Sequence, residues 1–131
     1  MGNIISNHYD IVNCINALEF NQNINNNNYI IINTLNVNEQ FCLIKNTVLA
    51  NDEENLINNY LTNNKSINII IYGKNSYDKT IIKKYSQLLK LGFKNLKIYM
   101  GGLFEWGLLQ EIYGENEFQT TSKIIDVLYY K

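Results

Sequence analysis

The side chains able to do nucleophilic or metal chemistry are few: two cysteines, Cys14 and Cys42, and one histidine, His8. A thiolate is both a nucleophile and a metal ligand, yet free cysteines are most often interior, so both read first as buried packing residues. Two widely spaced cysteines cannot form a disulfide framework, and a metal site would need ligands that one histidine does not supply. No metal and no cofactor is expected. His8 could act as a general base only if held in place, and it lies close to a terminus, where order is poorest.

A second kind of chemistry would come from the backbone. The strand-like run Ile67 to Tyr72 leads through Gly73, Lys74, Asn75, Ser76, Tyr77 and Asp78 into a helix reaching about Leu91. In such a strand–loop–helix unit, successive N–H groups and a helix N-terminus can converge on an anion. This loop lacks the glycines and the Lys-Ser/Thr pair of a P-loop. The expectation is weak binding of small oxyanions, with Lys74 and Ser76 alongside; the alternative is a plain surface connection. A third motif is Met1-Gly2-Asn3-Ile4-Ile5-Ser6, which matches the N-myristoylation pattern with Gly2 as acceptor. One myristoyl chain gives marginal, reversible membrane binding, and no polybasic cluster follows as a second signal.

These groups have to be positioned by a chain of 131 residues, enough for one domain and one core. Apolar residues make up 46% and charged residues 18%, as in soluble globular proteins. All 11 basic residues are lysines, scattered along a chain of net charge −1, so nucleic acid is not an expected partner. No apolar run is long enough for a membrane span and no secretory signal pattern opens the chain. Proline and arginine are absent, while Asn occurs 24 times and Ile 20 times. Asn, Ile, Lys and Tyr share A/T-rich codons, so the bias reads as genomic and most asparagines as solvent-facing filler.

Helical spacing of Ile11, Val12, Ile15 and Leu18 predicts a helix from Ser6 to Leu18, followed by an asparagine-rich loop from Asn21 to Asn28. Tyr29 to Asn33, Thr47 to Ala50, Ile67 to Tyr72 and Leu96 to Tyr99 read as strands. Helices are predicted from Asn51 or Asp52 to Leu61, up to Leu91-Gly92, from Gly101-Gly102 onward, and from Thr121 through Leu128. Strands alternating with helices give an α/β fold with a mainly parallel sheet flanked by helices on both faces. Ligand sites in such sheets lie at the carboxyl ends of strands, so Gly73 to Asp78 and Met100 to Gly102 come first. The expected organisation is one domain over 1–131, with an N-terminal segment 1–7 and a helical extension at about 114–131.

Taken in order, Ile69-Ile70-Ile71-Tyr72, Leu89-Lys90-Leu91-Gly92-Phe93, Leu96-Lys97-Ile98-Tyr99 and Gly101-Gly102-Leu103-Phe104-Glu105-Trp106 resemble the second half of a rhodanese-like domain. The resemblance runs from Tyr29 to Trp106. The wording Gly-Leu-Phe-Glu-Trp and the asparagine bias are similar to small rhodanese-like proteins of giant DNA viruses and protists. The resemblance implies that the glycine pair passes close behind the active loop and that Trp106 packs in the core. It also implies a cysteine directly after the strand, as the thiolate that accepts sulfane sulfur. Gly73 stands there instead. A shifted alignment brings Ser76 to mid-loop, but a serine hydroxyl forms no persulfide. The family's Asp-x-Arg element is replaced by Asn33-Thr34-Leu35.

The resemblance therefore implies a catalytically silent rhodanese-like module, with no catalytic residue, serving in binding or regulation with an unidentified protein partner. Its setting would be the cytoplasm of a host cell or a virion, with reversible membrane association through Gly2. The competing reading is an enzyme of the same fold, a sulfurtransferase using Cys42 or a phosphatase-like activity of the loop. A purely structural virion component is the third. A thiol at the mouth of the Gly73 to Asp78 loop would separate the first two.

Overall fold

The computed structural model describes residues 3–5 and 11–131. Four parallel strands form the sheet: β3 (Tyr29–Asn33), β4 (Thr47–Val48), β5 (Asn68–Tyr72) and β6 (Leu96–Tyr99), in the order β4-β3-β5-β6. Register pairs Ile31 with Ile70 across β3 and β5, and Ile71 with Ile98 across β5 and β6. A separate antiparallel pair, β1 (Asn3–Ile5) with β2 (Ile11–Asn13), precedes it. Just after β2 the chain runs beside β6, where the Ile15 amide donates to the Ile98 carbonyl at 2.9 Å.

The unbroken isoleucine runs follow from burial on both faces, because alternate residues point to opposite sides of a strand. Ile30, Ile32, Ile69, Ile71 and Ile98 face one layer, formed by α2 (Ala50–Asn63) and α3 (Thr80–Leu91) through Ile57, Ile81, Tyr85 and Leu88. Ile31, Ile70, Tyr72 and Tyr99 face the other, formed by α1 (Ala17–Asn23) and α4 (Gly102–Tyr113) through Phe20, Leu103 and Trp106. Helices thus cover both faces, as the strand and helix alternation implies.

Local chemistry sets the helix ends. Asn16 caps α1 by accepting from the Glu19 amide at 2.8 Å. The side chain of Gln40 accepts from the Ala50 amide at 3.0 Å where α2 begins. Gly92, at φ 107°, ends α3, with its amide on Leu89 and that of Phe93 on Leu88, a Schellman arrangement that turns the chain into β6. Phe93 completes it by burying its ring.

Two predicted helices are corrected. Within Ser6 to Leu18, the described residues begin at Ile11, where the chain is strand, and helix starts only at Ala17. Leu18 is exposed, and the inward face of α1 is Ala17, Phe20 and Ile24. Helix α1 also reaches Asn23, so the asparagine-rich connection is shorter than predicted. The C-terminal extension is irregular apart from one 3-10 turn, Val127–Tyr130. Its predicted cap is otherwise engaged: the Thr121 hydroxyl accepts from the Leu43 amide and the Thr121 amide donates to the Leu43 carbonyl, tying the tail to the chain beyond β3. Ile125, within the predicted helix, is 95% exposed.

Trp106 is fully buried, packs against Phe20, Tyr99 and Phe118, and donates its indole N–H to the Gln119 carbonyl at 3.1 Å. Truncation to Ala is expected to cost about 3–5 kcal/mol, read as a lower urea midpoint. Wild-type-like unfolding of Trp106→Ala would contradict this packing.

Candidate functional site

The loop from Gly73 to Asp78 leaves the carboxyl end of β5, at the centre of the sheet, and delivers the chain to α3. Its first half is pinned from behind by α4. The amides of Leu103 and Phe104 donate to the carbonyls of Gly73 and Lys74 at 3.0 and 2.8 Å. Gly102 makes this approach possible: its φ is 64°, and a Cβ there would lie 2.5 Å from the Gly73 carbonyl oxygen. The glycine pair thus passes close behind the loop, as the resemblance implies.

At the end of the loop three donors meet Asp78, one loop amide and the amide and hydroxyl of Thr80. One carboxylate oxygen accepts from the Lys74 amide at 3.1 Å; the other accepts from the Thr80 amide at 3.0 Å. The Thr80 hydroxyl lies 2.5 Å from Asp78 and 2.7 Å from the Thr34 hydroxyl. A carboxylate only accepts, so the single Thr80 proton points to Asp78 and Thr34 donates to Thr80. Asn75 makes an Asx turn, taking the Tyr77 amide on its side chain at 2.9 Å. The seat expected for an external oxyanion is therefore occupied by a side chain of the loop itself. A Cβ at Gly73 would collide with that same Asp78 oxygen and lie 2.7 Å from the Thr34 hydroxyl.

Lys74 is drawn off the loop. Its ammonium pairs with Glu39 at 2.8 Å and lies 5.4 Å from the ring centroid of Tyr129. The Tyr129 hydroxyl donates to the same Glu39 oxygen at 2.8 Å. The other Glu39 oxygen is buried with no hydrogen-bond partner among the described residues. The hydrogen bond from Lys74 holds Glu39 below the usual carboxylate range, while Glu39 raises both Lys74 and Tyr129. Asn75 donates to the Tyr130 carbonyl at 2.8 Å, so the C-terminal turn straps the loop from outside. Tyr130 anchors that strap by burying its ring with the Trp106 cluster.

These groups line a cleft of about 380 Å³ at the ends of β3 and β5, formed by Thr34, Glu39, Lys74, Tyr77, Asp78 and Thr80 among others. Neither cysteine lines it. Cys42 is buried against the Ser122 carbonyl at 3.4 Å, in a separate, largely apolar cavity of about 500 Å³ under the C-terminal segment. Cys14 is half-buried beside β6, where burial raises its thiol. Ser76 and Tyr77 are exposed. Asn33, where an acid is implied, is buried and locked: its amide exchanges hydrogen bonds with Gln40 at 2.9 and 3.0 Å and holds the Leu35 amide and the Val48 carbonyl. Gly2, Ser6 and His8 lie outside the described residues. Among the described residues no cluster of metal ligands occurs, and no helix is long and apolar enough to cross a membrane.

The sequence reading missed Thr34, Glu39, Thr80, Tyr129 and Tyr130. Thr34 follows the end of a central strand and could have been found by the strand-end rule. The tail residues carry no such signal.

With this geometry, the comparisons with known proteins converge. The family model for the rhodanese-like domain matches residues 5–108, and the chain belongs to that family. The crystal structure of the Alr3790 protein from Anabaena sp. is similar in fold, with a TM-score of 0.58 at 20% identity, covering 88% of this chain and 84% of that one. No curated protein gives a significant match. The α/β fold inferred from the residues is thus that of the rhodanese-like family, and the strap formed by Val127–Tyr130 lies beyond the matched segment.

The Glu39–Lys74 pair sets a pH dependence. Glu39 is depressed, so its contribution is fully present above the unfolded value of about 4.3 and is lost as pH falls through the lower folded value. Lys74 is raised, so the pair persists until pH rises past an ordinary ammonium. Lys74→Met is expected to destabilise the protein at neutral pH. Its gap in urea midpoint from wild type should narrow on acidification below about pH 4. A gap that widens in acid would contradict the pairing.

Proposed function

We propose that the chain is a catalytically silent rhodanese-like module that acts in binding or regulation through the strand-end cleft. The observation that carries this reading is Gly73: family chemistry needs a thiolate at that position, and a Cβ there would meet Asp78 and Thr34. Three further features support it. Neither thiol borders the cleft, the residue at the acidic position is a hydrogen-bonded Asn33, and the chain contains no arginine to hold a substrate oxyanion. A sulfurtransferase route through Cys42 is disfavoured by its place in another cavity, beneath the tail.

The partner is a protein surface rather than nucleic acid, in keeping with scattered lysines and a net charge of −1. The setting is the cytoplasm of a host cell or a virion, with Gly2 myristoylation adding reversible membrane association; the motif from Met1 to Ser6 supports this.

Purified protein is expected to yield no thiocyanate from thiosulfate and cyanide. Turnover that disappears in Cys42→Ser would replace the silent module with an enzyme. Co-expression with an N-myristoyltransferase is expected to add the myristoyl mass to wild type and not to Gly2→Ala, with only part of the modified protein sedimenting with membranes. An unmodified mass, with a control substrate acylated, would remove the membrane role.

A further inference from the structure

We propose that two carboxylates of this chain, Asp78 and Glu39, act as tethered anions that close the β5–α3 loop to external oxyanions. The proposal deepens the silent reading: the loop lacks not only a nucleophile but also the charge-receptive seat that an oxyanionic substrate would need.

Two independent groups would otherwise hold such a substrate, and each is taken. The first is the convergent donor set. The Lys74 amide, the Thr80 amide and the Thr80 hydroxyl all end on the Asp78 carboxylate, with the Thr34 hydroxyl behind them. The second is the ammonium of Lys74, the one lysine lining the cleft, which Glu39 holds at 2.8 Å with Tyr129 on the same carboxylate oxygen. From Lys74 to Asp78, only the amides of Asn75 and Ser76 have no acceptor among the described residues. Two amides beside two carboxylates make a poor seat for an anion, since like charges at contact oppose binding.

The Asx turn ahead of α3 accounts for only part of what Asp78 does. That turn needs only the Asp78–Thr80 contact; the other carboxylate oxygen reaches back across the loop to Lys74, into the space a Cβ on Gly73 would require. Gly73 and the inward Asp78 are therefore mutually dependent. Side chains at both positions cannot occupy the same seat.

The chemical class excluded is the small tetrahedral oxyanion, and inorganic sulfate is the probe. Amide NMR at constant ionic strength would follow sulfate titrations of wild type, Asp78→Ser and Asp78→Ser with Glu39→Gln. Serine keeps a side-chain acceptor for the Thr80 amide, as in an ST turn, while removing the carboxylate. Wild type is expected to show no clustered shifts at the loop. Asp78→Ser should gain them at Lys74 and Thr80, with affinity raised roughly tenfold or more, and the double variant should bind tighter still. Asp78→Asn, which keeps the Asx turn and is neutral, should move the same way by less and stands in if the serine variant unfolds. Wild type binding sulfate in the loop as tightly as the variants would overturn the proposal, as would folded variants that gain no binding. A thiosulfate and cyanide assay on the same wild-type sample separates the two claims. Turnover overturns the silent module itself, whereas sulfate binding without turnover overturns only the tethered anions.

Discussion

Gly102 brings the start of α4 against the carbonyls of Gly73 and Lys74, and the remaining features of the site depend on that close contact. A helix begins with amides that have no intrahelical acceptor. Here those of Leu103 and Phe104 are satisfied by the loop rather than left to a ligand. The contact fixes the first two carbonyls of the loop pointing backward, so the amides that follow turn toward the cleft. It also seats α4 firmly enough on the sheet to bury Trp106 beside Phe20 and Tyr99. Adding a methyl at Gly102 would force backbone against backbone, with no flexible side chain to give way.

Once the amides face inward, they need an acceptor, and the same chain provides it. Asp78 takes the Lys74 amide and both Thr80 donors, Glu39 takes Lys74 and Tyr129, and Gln40 takes Asn33 and the start of α2. The strand ends where the family's chemistry would be expected are thus joined by a polar network internal to the chain. Within this network Asn33 and Glu39 are buried, so losing a partner of either would leave an unpaired group in a poorly solvated place, while Thr80 and Tyr129 remain exposed. The ring of Tyr77 stays exposed outside this network.

The sheet was legible because its strands are buried on both faces: runs such as Tyr29 to Asn33 and Leu96 to Tyr99 show their limits by composition alone. The glycine pair and Trp106 were legible through the family resemblance. The N-terminal helix misled because Ile11, Val12 and Ile15 fit helical spacing, yet they serve β2 and the chain running along β6. The tail misled because Thr121 is an excellent cap by type, while its hydroxyl and amide are both engaged by Leu43. At the candidate site, the sequence points to Gly73 to Asp78 as the active-loop equivalent but not to the inward contacts of Asp78. No spacing rule states that a carboxylate four residues along will fold back onto the loop's own amide. Glu39 and Tyr129 lie 90 residues apart and meet only through the fold.

The most direct test of the closed loop is a high-resolution crystal structure of the wild-type protein after soaking in thiosulfate. Asp78 is expected turned inward onto the amides of Lys74 and Thr80, with Lys74 on Glu39 and no anion within the loop. An anion held by the loop amides, with Asp78 swung out to solvent, would contradict it.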